Sequence, residues 1–158
     1  MKIHLKTSLL LICFYILHIP LYGEKIKIKG LDIQYNEITE IMTASGNAEL
    51  SHPNFKILAD NISYNKKTEI IIGKNNVELI QANQIILSDH FSHNTKTNVI
   101  SINKLWLELT TKNKNQHIFS TAEKFEDHPT HKEGKNGIIT TCDYDPPHYY
   151  FKAESFKI

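Results

Sequence analysis

Phe55-Lys56-Ile57-Leu58-Ala59-Asp60-Asn61-Ile62-Ser63-Tyr64-Asn65 is the stretch that decides the fold. Phe55, Ile57 and Ala59 recur with a period of two, the pattern of a strand with one buried face. Beyond Asp60 the alternation continues with the opposite parity, because Ile62 and Tyr64 are even-numbered. A one-residue slip turns every side chain of a strand to its other face, so the chain has to kink or bulge at this point. In a two-walled β structure, such corners are where a strand passes from one wall to the other.

Outward from this stretch, the same pattern repeats. A shift of 29 residues lays 30–50 on 59–79, with Ile33 on Ile62, Tyr35-Asn36 on Tyr64-Asn65 and Thr39-Glu40-Ile41 on Thr68-Glu69-Ile70. A second shift of 29 carries Asp60 to Asp89, Ile62 to Phe91, Asn65 to Asn94 and Ile70 to Val99. Looser copies of the opening follow at Ala122-Glu123-Lys124-Phe125 and Ala153-Glu154-Ser155-Phe156, and parity changes in both. The unit is a small residue, an acid, any residue, then Ile or Phe; the first copy is degenerate, with Leu31 at the acidic position. Turn formers separate the strands, among them Ser45-Gly46-Asn47, Asn65-Lys66-Lys67 and Gly73-Lys74-Asn75-Asn76. No helical stripe is convincing after the first two dozen residues. The expectation is an all-β, repeat-built, two-walled β-jellyroll, with repeats stacked around one apolar interior. An ordinary β-sandwich fits similar strand spacing and stays open as the alternative.

The first residues belong to something else. Lys2, His4 and Lys6 precede an apolar run over 9–19, and Gly23 stands at its exit before Glu24. That is the layout of a secretory signal, read as residues 1–23, with the folded domain over 24–158. The run is shorter than the roughly 20 residues of a membrane span, although Leu21 is large for its position and leaves an uncleaved anchor as the alternative. Cys13 sits inside the run rather than at its end, which argues against lipidation. Loss of residues 1–23 removes Lys2 and Lys6 and no acid, leaving 16 basic residues against 17 acidic ones. So balanced a charge gives no field for nucleic acid, and none is expected as a partner. Every basic residue is lysine, so the bidentate phosphate clamp of arginine is missing.

Ala59-Asp60-Asn61-Ile62-Ser63-Tyr64-Asn65, followed by a Gly/Asn turn and Val77-Glu78-Leu79, resembles the repeat of the OstA-like periplasmic domains of lipopolysaccharide-assembly proteins. Thr140-Thr141-Cys142-Asp143-Tyr144-Asp145-Pro146-Pro147, then Tyr149-Tyr150-Phe151-Lys152-Ala153, is similar to the segment closing the N-terminal domain of the outer-membrane member. That member continues into a large barrel, and the expectation here is its periplasmic domain without the barrel. The resemblance implies a groove whose interior shelters acyl chains, with edge strands joined head to tail to OstA-like bridge proteins and to an outer-membrane barrel. It places the chain in the periplasm, at or near the outer membrane, with lipopolysaccharide or another glycolipid as cargo. On that fold the candidate lipid-facing residues are Ile33, Tyr35, Leu50, Phe55, Ile57, Ile62, Tyr64, Val77, Leu79, Phe91, Leu105, Leu107 and Leu109. The family's cysteine at the Cys142 position pairs with the barrel portion, so Cys142 is a candidate for an intermolecular disulfide. A filled-core interaction protein without cargo is the competing reading, since a packed core needs the same residues.

Other constellations are weaker. His128-Pro129-Thr130-His131 lies in a turn-rich loop with no second Cys or His pair to frame it, and no metal or other cofactor is expected. A Cys142–His nucleophile needs an orienting partner and a pocket, so no catalytic residue is assigned. His90 and His93 are read as surface strand positions. Trp106 lies on the face opposite Leu105, Leu107 and Leu109, either at an interface or under a loop.

Overall fold

A computed structural model of the chain describes residues 26–81, 84–110 and 117–158; the expected signal over 1–23 and Cys13 lie outside the described residues. The strands are β1 (Lys27–Lys29), β2 (Asp32–Asn36), β3 (Ile41–His52), β4 (Phe55–Asn65), β5 (Ile70–Gln81), β6 (Gln84–Asn94), β7 (Val99–Thr110), β8 (His117–Asp127), β9 (Lys132–Thr140) and β10 (Phe151–Lys157). One antiparallel path runs β1-β3-β4-β5-β6-β7-β8-β9-β10, and β2 also pairs with β3.

Two strands share β3 because the sheet is folded. Residues 41–45 of β3 pair with β2, whereas 49–51 pair with β1. The fold line crosses the middle of each long strand, and the two halves face each other: a Cβ on Gly73 of one half would lie 3.6 Å from Ile57 of the other. This is the two-walled roll that the parity changes require.

The corners explain the repeated motif. Pairing registers shift between Ser45 and Ala48, Leu58 and Asn61, and Lys74 and Val77. Left-handed backbone occurs at Gly46, Asn47, Asn75, Asn76, Lys104 and Asn136, on alternate strands. On the intervening strands stand the acids, and they bind these residues: Asn76 Nδ2 donates to Asp60 (3.0 Å), Lys104 Nζ to Asp89 (2.5 Å) and Asn136 Nδ2 to Glu123 (2.5 Å). The acid thus holds the side chain of the residue that bends the next strand. In the degenerate first copy, Leu31 covers Gly46, where a Cβ would lie 3.0 Å from its side chain.

Of these corner residues Lys104 is least suited to a positive φ, which asparagine tolerates far better. Lys104→Asn is therefore expected to raise the urea midpoint, reproducing the Asn76–Asp60 and Asn136–Glu123 pairs. An unchanged or lower midpoint would mean that the lysine's contact with Asp89 matters more than the backbone.

At the other end of each hairpin the repeat is equally literal. Asn36, Asn65 and Asn94 each accept two backbone N–H bonds, at 2.9–3.1 Å, from residues two and three places on. These Asx turns are the reason the repeat keeps asparagine there.

Candidate functional site

Strand register stacks the inward side chains into ladders. One wall carries Leu50, Ile57, Leu79, Ile86, Leu107, Ser120, Ile139 and Phe151, each paired to the next. Facing it runs Ala44, Ile62, Gly73, Phe91, Ile102, Phe125, Gly134 and Phe156. Over β3–β6 the large rungs meet and close: Leu50, Ile57, Ile62, Ile71, Val77 and Phe91 are at most 1% exposed. Over β8–β10 small rungs enter the walls at Ser120, Ala122, Gly137 and Ala153, and the walls no longer fill the space between them.

An apolar groove of about 590 Å³ results, bordered by Leu79, Ile86, Ile100, Ile102, Leu105, Leu107, Leu109, Phe125, Phe151, Phe156 and Ile158. Volumes of roughly 300–1,000 Å³ are those of small-molecule and cofactor sites. Few polar groups enter it; Asp127 and Lys132, paired as an ion bridge, stand at the hairpin end. The rings of Phe125 and Phe156 lie 6.4 Å apart on one side. Gly134 and Gly137 make room for Phe156: a Cβ on either would approach its ring to 2.4 and 2.8 Å.

The sequence-derived candidates divide along this line. Leu79, Leu105, Leu107 and Leu109 line the groove. Leu50, Ile57, Ile62, Val77 and Phe91 are closed into the core, with Phe55 and Tyr64 packed against it. Ile33 and Tyr35 extend the ladder of Ala44 and Met42 to the edge strand β2, where they are half exposed. Groove residues outside the candidate set include Ile86, Ile100, Ile102, Phe125 and Phe156. Ile100 and Ile102 carry a readable even parity, but Ile85-Ile86-Leu87 is a continuous apolar run in which alternation has no phase.

His93 corrects an expectation. It is not a surface residue but a buried one, on the inward ladder between Ile71 and Ile100. Replacing Tyr64 in the repeat, it inherits the tyrosine's face. Its Nε2 meets Asn98 Oδ1 at 3.2 Å, and among the described residues its Nδ1 has no hydrogen-bond partner. Burial pushes its pKa below the ordinary value, a shift that the Asn98 bond opposes and the nearby His52 charge reinforces. Above the unfolded value of about 6.5 both states are neutral and nothing is lost. As pH falls below that, the unfolded chain takes the proton first, so stability declines until the lower folded pKa is passed. Denaturation at about pH 7.5 and pH 5 is expected to show a smaller acid loss in His93→Phe than in the parent. Equal losses would place the acid sensitivity elsewhere.

Trp106 is half-buried on the outer face of its wall, its ring 6.0 Å from that of Phe119 on the neighbouring strand. Cys142 is buried beyond the end of β9, and it is a free thiol. Thr140 Oγ1 accepts from the Cys142 N–H (2.9 Å) and donates to the Tyr149 carbonyl (2.7 Å), while the sulfur accepts from the His148 N–H at 3.4 Å. His148 Nδ1 is 3.9 Å from that sulfur, and its ring lies 4.5 Å from that of Tyr144, tilted by 35°. Bonding of Cys142 to another chain therefore requires the 143–150 loop to open.

No family model and no curated protein matches the chain. Among solved structures it is similar to the crystal structure of LptH, the LptA-homologous periplasmic component of the conserved lipopolysaccharide transport device from Pseudomonas aeruginosa. The TM-score is 0.56 at 7% identity, over 85% of this chain and 94% of that one. At that identity the likeness is one of fold, and the fold is the β-jellyroll.

Proposed function

We propose that this chain is a periplasmic component of lipopolysaccharide, or related glycolipid, transport to the outer membrane. In this reading the groove shelters acyl chains and the edges join OstA-like neighbours and an outer-membrane barrel by strand pairing. The observation that carries it is the apolar groove between the walls, continuous with the core yet unfilled. An acyl chain entering it gains about 0.8 kcal/mol per buried CH₂, enough for holding without catalysis. Weak polarity along the lining lets a chain slide, since no anchored polar contact is broken at each step.

The ends of the roll support the second part. Ile139 is 46% and Phe151 76% exposed at the β10 end, so the interior ladder runs out to the edge without a cover. Ile33 and Tyr35 do the same at the β2 end. Glu154 stands where Asp60, Asp89 and Glu123 each bind the next strand, and among the described residues no strand follows β10. An incoming strand would supply both the backbone pairing and a donor for that acid. Cys142 is then the candidate for a disulfide to the barrel component, after opening of its loop.

The filled β3–β6 half favours a second reading for that half alone: packed structural core without cargo. Photo-crosslinking amino acids separate the two. Placed at Ile100 and Leu107, they are expected to capture glycolipid; placed at Lys66 on an exposed turn, they are not. Capture at Lys66 alone, or at none of these, would remove the groove as a lipid site.

A further inference from the structure

At the tip of the β8–β9 hairpin, on the outer face, three side chains converge, with Glu126 beside them. A ring nitrogen of His128, one of His131 and a carboxylate oxygen of Glu133 lie within 4.8 Å of one another. The two rings are stacked, with centroids 4.5 Å apart and planes 11° from parallel. His128 Nε2 is 3.2 Å from Glu126 Oε2, and His131 Nε2 is 3.5 Å from Glu133 Oε2. Strand register sets Glu126 directly opposite Glu133.

That pairing is the informative feature. Two carboxylates directly opposed across antiparallel strands repel, and a cation between or beside them relieves it. Lys124 partly serves Glu126, at 2.7 Å, but Lys157 reaches Glu133 only at 4.0 Å. The turn holding the histidines is closed by the His128 N–H donating to the His131 carbonyl at 2.8 Å. Thr130 Oγ1 lies 3.1 Å from His131 Nδ1, which fixes that ring and leaves Nε2 facing the Glu133 carboxylate. An orienting bond on the non-ligating nitrogen is a regular feature of metal-binding histidine. The three-residue spacing of the histidines, read in the sequence, lacks a frame; pairing of the strands supplies one from Glu126 and Glu133.

We infer that this hairpin tip binds a divalent transition ion of the zinc type through His128, His131 and Glu133, with Glu126 as the fourth donor. Two imidazoles with carboxylates suit Zn²⁺, Cu²⁺ or Ni²⁺ and not Mg²⁺ or Ca²⁺, which require oxygen cages. Ligand atoms on one tetrahedral zinc lie about 3.4 Å apart, so to hold one ion the two stacked rings turn out of parallel and aim their nitrogens at a common point. The site is independent of the groove and of any lipid.

Calorimetric titration of the protein with ZnCl₂ tests it, alongside a thermal melt with and without the ion. One equivalent is expected to bind, raising the melting temperature. His128→Ala and His131→Ala are each expected to weaken binding by at least about tenfold and Glu133→Gln by less, while His148→Ala leaves it unchanged. Excess MgCl₂ should not compete. Circular dichroism of the variants verifies that the exposed turn tolerates them. Absence of binding to the parent protein overturns the inference, as does binding that survives both histidine variants.

Discussion

Phe91→Ala is expected to cost about 3–5 kcal/mol of folding stability, the largest loss of any single truncation in the roll. The ring is 1% exposed and is the bulkiest of the fully buried side chains. Its partners across the ladder are Gly73 and Ile102. Gly73 has no side chain with which to collapse into the vacated space, so most of the cavity persists and its cost is added to the lost transfer energy. His93, whose ring lies 6.5 Å away edge-on, would at the same time lose part of its apolar cover. Against a typical total of about 5–15 kcal/mol, such a loss leaves the chain marginal. Urea denaturation measures it, with Phe156→Ala as the comparison. Phe156 is only partly buried, on the edge strand, and its removal should cost clearly less. Equal costs for the two would contradict the division into a filled and an open half.

Ser120→Trp is expected to abolish glycolipid capture at Ile100 and Leu107 while leaving the fold intact. Ser120 occupies the rung between Leu107 and Ile139, where the ladder changes from large to small. Its hydroxyl donates to the Ile138 carbonyl at 3.1 Å, a bond worth about 1 kcal/mol that the indole does not replace. In exchange the ring fills the groove from the wall and buries apolar surface against Leu107 and Phe125. The melting temperature should therefore change little, and crosslinking at the two reporter positions should disappear. Undiminished crosslinking with the tryptophan seated in the groove would show that the lipid travels elsewhere. A collapsed melting temperature would show instead that the groove is tighter than its volume implies.

Much of the architecture was legible before any coordinates. The parity change around Asp60 announced a bend in every second strand, and a shift of 29 residues announced that the bends stack. Leu79, Leu105, Leu107 and Leu109 were legible as inward residues for the same reason. The candidate set did not separate these from Leu50, Ile57 or Phe91, because alternation reports which face a residue occupies and not what stands across from it. His93 was misplaced because histidine is polar by type, whereas its position in the repeat, inherited from Tyr64, is an inward one. Glu126 and Glu133 stand seven residues apart in the chain and drew no notice until pairing set them opposite each other.

The sequence by itself determined the all-β class, the 29-residue hairpin unit and the corner at each small-acid step, since all three follow from local parity and turn chemistry. Only the tertiary structure decided that the acid binds the left-handed residue of the next strand, and that the roll is closed over β3–β6 and open over β8–β10. Both depend on which rungs meet across the fold line. A wall closes where Leu50 and Ile57 meet Ile62 and Phe91, and opens beside Ser120, Ala122, Gly137 and Ala153. That sum of facing volumes exists only after the sheet has folded.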